Sequence, residues 1–177
     1  KMRKTCTNRD NQTIFGALAL SNSGIYFSTK MKKLLIFDLD GTLYDFDNGD
    51  TNDFLKSIFY KAVKSNACKF ISQKISIDLK EAQRVYKKVF IEFNGEISIG
   101  LEKIFGIDRY EYFKAAFNLN PQKFIIKKDL LSLIKSLNID IAILTAAPKI
   151  WAESVLDYLN LGKYKDSLFT GEPDIRK

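Results

Sequence analysis

The chain has 177 residues, 46% of them apolar, a length that fits one domain or one core with an insertion and a composition that excludes wholesale disorder. It contains no histidine, which excludes Ser-His and Cys-His catalytic pairs, phosphohistidine chemistry and His-ligated zinc; proton transfer must fall to carboxylates, lysines or tyrosines. The formal charge is +7, but residues 1–37 carry +6 of it, so the rest is nearly neutral and no nucleic-acid partner is expected.

Residues 1–30 are basic, rich in Ser, Thr and Asn, and begin with Lys. Their apolar run, Ile14 to Leu20, is too short to span a membrane. With Ala17 and Ala19 it has some features of a signal-peptide core, and its low acid content some of an organellar transit segment. The reading adopted is an N-terminal extension, disordered or not native, with Met31 as the start of the folded chain and a cytoplasmic location. Cys6 and Cys68 form neither a disulfide framework nor a zinc site and are expected as reduced thiols.

Leu34 to Phe37 is a continuous apolar run ended by Asp38, which predicts a strand buried on both faces of a parallel sheet. Asp45 to Asp53 is polar and predicts a loop, with Asp45, Asp47 and Asp50 as solvated acids and caps. From Phe54 to Ala67 the apolar residues keep helical spacing. Asp78-Leu-Lys-Glu81 is a helix start signal, and Ala82, Val85, Tyr86, Val89 and Phe90 follow it. A shorter helix is predicted over about 97–105, ending at Gly106, and another opens at Asp108. Nine basic residues from Lys56 to Lys88 face only Asp78 and Glu81, the pattern of a solvated helix face. Nothing between Asp53 and Asn120 alternates as a strand would.

Pro121 closes that block. Lys128 to Leu137 predicts an amphipathic helix, Ile139 to Leu144 a strand ending at Thr145, and Pro148 to Leu159 a helix stopped by Gly162. Ser167 to Thr170 predicts a third strand. The sum is an α/β fold with a doubly wound parallel sheet and an all-helical insertion after the first strand. The domain boundaries read as 1–30 for the extension, 31–50 with 121–177 for the core, and 51–120 for the insertion.

Ligands of such sheets bind beyond the carboxyl ends of the strands. The first strand delivers Asp38-Leu-Asp40-Gly41-Thr42, the second Thr145, and the segment after the third Lys177. One carboxylate can attack phosphorus while a second, two residues on, handles the proton. Two adjacent acids call for a cation, and Mg²⁺ prefers oxygen ligands and pairs with phosphate. Gly41 permits a turn that aims backbone N–H groups at phosphoryl oxygens, and Thr42 lies in the same turn. Thr145 and Lys177 would supply a hydroxyl and a positive charge. A calcium loop is excluded: counted from Asp38, Leu43 stands where Gly is needed and Gly49 where Glu is needed.

These segments resemble the haloacid dehalogenase-like hydrolase superfamily over about residues 32–177. Leu35 to Leu43 is similar to its first motif, Thr145 to its second and Lys177 to its third. The resemblance implies that Asp38 is the nucleophile, Asp40 the general acid/base, and Gly41, Thr42, Thr145 and Lys177 the phosphoryl holders. It also implies Mg²⁺ as cofactor, bound by Asp38 and Asp40, and a helical cap made by residues 51–120. Tyr44 and the stretch from Phe90 through Gly95 to Leu101 resemble pyrimidine 5′-nucleotidase-like members. The implied substrate is a small phosphorylated metabolite such as a nucleoside 5′-monophosphate. Asp40 favours phosphate-ester hydrolysis over dehalogenation, because an alkyl ester needs no leaving-group proton. Phosphomutase is the nearest relative.

The family's fourth motif, an acidic pair that completes the metal site, should follow Lys177 and is not in the sequence. The alternative expectation is therefore a catalytically inactive truncated paralogue or gene fragment, with a first strand left with a bare edge. The oligomeric state is not legible. Tyr44 and Phe46 read equally as substrate-lining or packing residues, and Trp151 as packing.

Overall fold

The computed structural model describes residues 18–21, 24–27, 33–47 and 53–171. Expectations attached to Cys6, Met31, Asp50 and Lys177 lie outside the described residues. The chain divides into two compact units, Lys1–Lys33 and Leu34–Lys177. In the first, β1 (Leu18–Ser21) and β2 (Gly24–Phe27) pair antiparallel, Leu18 opposite Phe27 and Ser21 opposite Gly24.

The second unit begins with β3 (Leu34–Phe37) and β4 (Tyr44–Phe46). Four helices follow: α1 (Ile58–Lys74), α2 (Leu79–Glu92), α3 (Ile97–Phe105) and α4 (Arg109–Ala116). The chain returns through β5 (Ile125–Lys127), α5 (Leu130–Ser136), β6 (Asp140–Thr145), α6 (Lys149–Tyr158) and β7 (Leu168–Thr170). The result is a mixed α/β fold with a parallel sheet, and all the helices between β4 and β5 belong to one insertion.

The helix starts follow from capping. Ser57, Asp78 and Asp108 each accept a hydrogen bond from a first-turn backbone N–H, of Tyr60, Glu81 and Glu111 respectively. Gly106 ends α3 in the left-handed region at φ 65°. Gly100 answers a packing demand instead: a Cβ there would stand 2.4 Å from the Val89 side chain, so only glycine lets α3 lie on α2. α1 buries Phe59, Val63, Ala67, Phe70 and Ile71 at helical spacing. All nine basic residues from Lys56 to Lys88 are exposed, as a solvated face should be.

The sheet has the order β3-β6-β7, with both pairs parallel. Each step moves the same way across it, so right-handed crossovers put α5 and α6 on one face. Ile141 and Ile143 on that face are buried in the same core as Leu131, Ile134, Val155 and Leu156. Across the register, Leu34 and Ile36 share the opposite face with Leu144 and Phe169, and these four are 54–61% exposed. This corrects the expectation of a first strand buried on both faces. β3 is an edge strand of the described sheet, and one of its faces is uncovered.

A second correction concerns residues 45–53. The predicted loop begins with strand: β4 pairs antiparallel with β5, Tyr44 opposite Lys127 and Phe46 opposite Ile125. This two-stranded ribbon joins the two ends of the helical insertion. Asp47 N–H continues it by donating to Phe124 O at 2.7 Å.

Candidate active site

Leu39 and Leu43 are fully buried and pin the turn after β3 from both ends. The Leu43 and Thr42 N–H groups both donate to Leu39 O, at 3.0 and 3.3 Å. Gly41 crosses the top at φ +77°, a conformation that L side chains rarely adopt. With its leucines inward, the turn has to place Asp38 and Asp40 on its polar surface. Asp38 is exposed, and one of its oxygens, Oδ2, accepts a bond from Thr42 Oγ1 at 2.9 Å.

Asp40 turns the other way, into a shell of donors from three elements. The Tyr44 hydroxyl donates to Oδ1, and Trp151 Nε1 donates to the same oxygen at 3.3 Å. Thr145 Oγ1 donates to Oδ2 at 3.0 Å and accepts from Ala147 N–H at 3.0 Å. The β3–β6 register explains the reach of Thr145: Phe37 pairs with Ile143, so Thr145 stands level with the turn. Trp151 Nε1 also lies 3.1 Å from the Tyr44 hydroxyl oxygen, and both side chains are nearly inaccessible to solvent.

Burial raises the Asp40 pKa above its ordinary 3.8, and the charge of Asp38 adds to the rise. The donors from Tyr44, Thr145 and Trp151 pull the other way without cancelling it. Tyr44 is pushed upward too, by burial first and then by the charge of Asp40, so its phenol keeps its proton and donates. The environment thus favours the protonated form of Asp40, the acid held inside the donor shell.

The structure therefore brings Asp38, Asp40, Gly41, Thr42 and Thr145 together. Three further residues belong with them. Tyr44 and Trp151, read from sequence as packing or lining residues, are donors to Asp40. Lys128 ties the ribbon to the turn: its Nζ donates to Gly41 O at 2.6 Å and pairs with Asp45 Oδ1 at 2.8 Å. Asp45 is thus a partner as well as a solvated acid. The partners of Trp151 and Lys128 lie 83 to 111 residues away, so no local pattern marks them.

The oxygen donors suit Mg²⁺, which keeps several waters and usually takes one or two carboxylates beside substrate phosphate. Asp38 has an oxygen not engaged by Thr42, while both oxygens of Asp40 are engaged. No third acid, cysteine or histidine joins them in a cluster among the described residues. None of the described helices is long and apolar enough to cross a membrane.

A family model of haloacid dehalogenase-like hydrolases matches residues 32–177, a span that includes every residue of this site. No curated protein matches the chain significantly.

Proposed function

We propose that this chain, which belongs to the haloacid dehalogenase-like hydrolases, hydrolyses phosphate esters through an aspartyl-phosphate on Asp38. One observation carries the reading. An exposed carboxylate stands two residues from a half-buried one whose protonated form is favoured and whose orientation is fixed by Tyr44, Thr145 and Trp151. A nucleophile must be ionised and reachable, and a general acid must hold a proton and keep its position.

In the first step an Asp38 oxygen attacks phosphorus. The bond from phosphorus to the leaving oxygen breaks, and that oxygen takes the proton from Asp40. In the second step water attacks the acyl phosphate and gives a proton to Asp40. The phosphorus–Asp38 bond breaks, inorganic phosphate leaves, and both side chains return to their starting states. By the resemblance, the Gly41 backbone N–H and the Thr42 hydroxyl, which donates to Asp38 in the structure, would donate to phosphoryl oxygens. Lys177, by its resemblance to the third motif, supplies the opposing charge. Mg²⁺ would be held by Asp38 and Asp40 and would offset the negative charge of phosphate and carboxylate.

The substrate is a small phosphorylated metabolite. Tyr44 does not contribute to its recognition, because the side chain is buried and its hydroxyl is committed to Asp40. A nucleoside 5′-monophosphate therefore rests on the resemblance of residues 90–101 alone. Assay of the full chain with Mg²⁺ against a panel of sugar phosphates, nucleoside monophosphates and aryl phosphates tests the reading. Release of inorganic phosphate that ceases in Asp38→Asn is expected. Turnover that survives Asp38→Asn would remove the nucleophile and the reading with it.

A further inference from the structure

Inside the helical insertion, α1 to α4 and the residues flanking them line a half-open cavity of about 180 Å³ whose walls are mostly phenylalanine and tyrosine rings. An apolar cavity of roughly 150 Å³ is enough to take up a benzene-sized molecule. The volume here therefore suits one six-membered ring with a substituent, and is too small for a nucleoside. No Lys or Arg lines it, so it is not a phosphate site, and its one acid, Glu96, is exposed at the margin. None of Asp38, Asp40, Gly41, Thr42 and Thr145 lines it, but its wall adjoins the candidate active site. Phe59 is a cavity wall, and that ring packs at 4.6 Å between centroids on Trp151, which donates to Asp40.

The polar atoms on the wall are hydroxyls. Those of Tyr60 and Tyr86 pair at 3.3 Å, and Ser98 Oγ accepts from Arg109 Nε at 3.2 Å. Tyr112 is different. Its side chain is 4% exposed, and its hydroxyl makes no hydrogen bond among the described residues. A buried hydroxyl without a partner costs about 1–3 kcal/mol, and a native structure seldom keeps one unless something fills its place.

We propose that this cavity is a second binding site, for a neutral molecule of one aromatic ring bearing a hydroxyl or carbonyl group that pairs with Tyr112. The ring fills the apolar volume and the polar substituent satisfies the phenol. Anions are disfavoured, because the wall offers no basic side chain; a quaternary ammonium, which aromatic walls also attract, is the rival occupant.

The test is a titration of the full chain with phenol, toluene and tetramethylammonium, followed by ligand-observed NMR or calorimetry. Saturable binding of phenol and toluene is expected, with phenol tighter. Inorganic phosphate should not compete. In Tyr112→Phe, phenol should lose roughly five- to tenfold in affinity while toluene is unchanged. That substitution removes an unpaired hydroxyl and should leave the melting temperature equal or higher. No saturable binding of either ring would overturn the proposal. Tighter binding of tetramethylammonium, competition by phosphate, or an unchanged phenol affinity in Tyr112→Phe would overturn it equally. None of these results depends on whether the chain hydrolyses phosphate esters.

Discussion

On the outer side of the turn after β3, Asp38 is exposed and accepts a bond from one hydroxyl. On the inner side, Asp40 is half-buried and accepts from three side chains. The chemistry of the two groups is the same, so the difference lies in what surrounds them. Leu39 and Leu43 fix the turn in the core, which leaves both acids on its polar side, and the elements packed beside the turn then distinguish them. One is left reachable and the other is held by β4, β6 and α6. A division of labour between nucleophile and acid thus follows from packing, two residues apart in sequence.

The largest effect is expected where the two sides differ most in access. Asp38→Asn removes the attacking oxygen and should lower kcat on the order of 10⁴-fold or more, measured as phosphate release. Asp40→Asn should slow the first step, read as the burst of leaving-group release, by about 10²- to 10⁴-fold with alkyl phosphates and much less with an aryl phosphate, whose leaving group needs no proton. Equal losses on both substrates would remove the acid role from Asp40 and, with it, the contrast between the two sides.

A smaller change should sharpen the contrast. Trp151 Nε1 and the other donors lower the Asp40 pKa against the effect of burial. Trp151→Phe deletes one donor, so the alkaline limb of the kcat profile should move to higher pH. An unmoved limb would mean that Asp40 is not the group seen in the profile.

The smallest effect concerns stability. The native pKa of Asp40 lies above its unfolded value, so the native state holds the proton more tightly. The stability it contributes is fully present below about pH 3.8 and is lost as pH rises through the raised native pKa. Asp40→Asn has no such titration. Its urea midpoint relative to the parent should therefore rise across that window, and a constant difference would contradict the buried state of Asp40.

Much of this was legible in sequence. The D-x-D-G-T turn and Thr145 are marked by short apolar runs that end in polar residues. α3 and α4 are marked by Gly106 and Asp108. These signals are local, and so they survive without knowledge of the fold. The donors to Asp40 are not local. Trp151 reads as a core residue, which it is, but its indole N–H reaches Asp40 only because α6 starts directly after β6 and packs beside the turn. Lys128 carries no signal at all. β5 is missed because Ile125-Ile126-Lys127 is too short to show a period, and its partner β4 lies on the far side of the insertion. The burial of β3 was misjudged for a similar reason. An apolar run reports what a strand prefers to touch, whereas exposure depends on which elements cover it. Here Ile36 is 61% exposed although nothing in its own segment says so.

The central claim is that Asp38, rather than Asp40, carries the phosphoryl group. The most direct measurement is rapid quenching of the full chain during reaction with an aryl phosphate and Mg²⁺, followed by peptide mass spectrometry. A phosphoryl adduct on Asp38, absent from Asp38→Asn and longer-lived in Asp40→Asn, is the predicted result. An adduct on Asp40, or steady turnover in which no aspartyl adduct ever forms, would contradict the account.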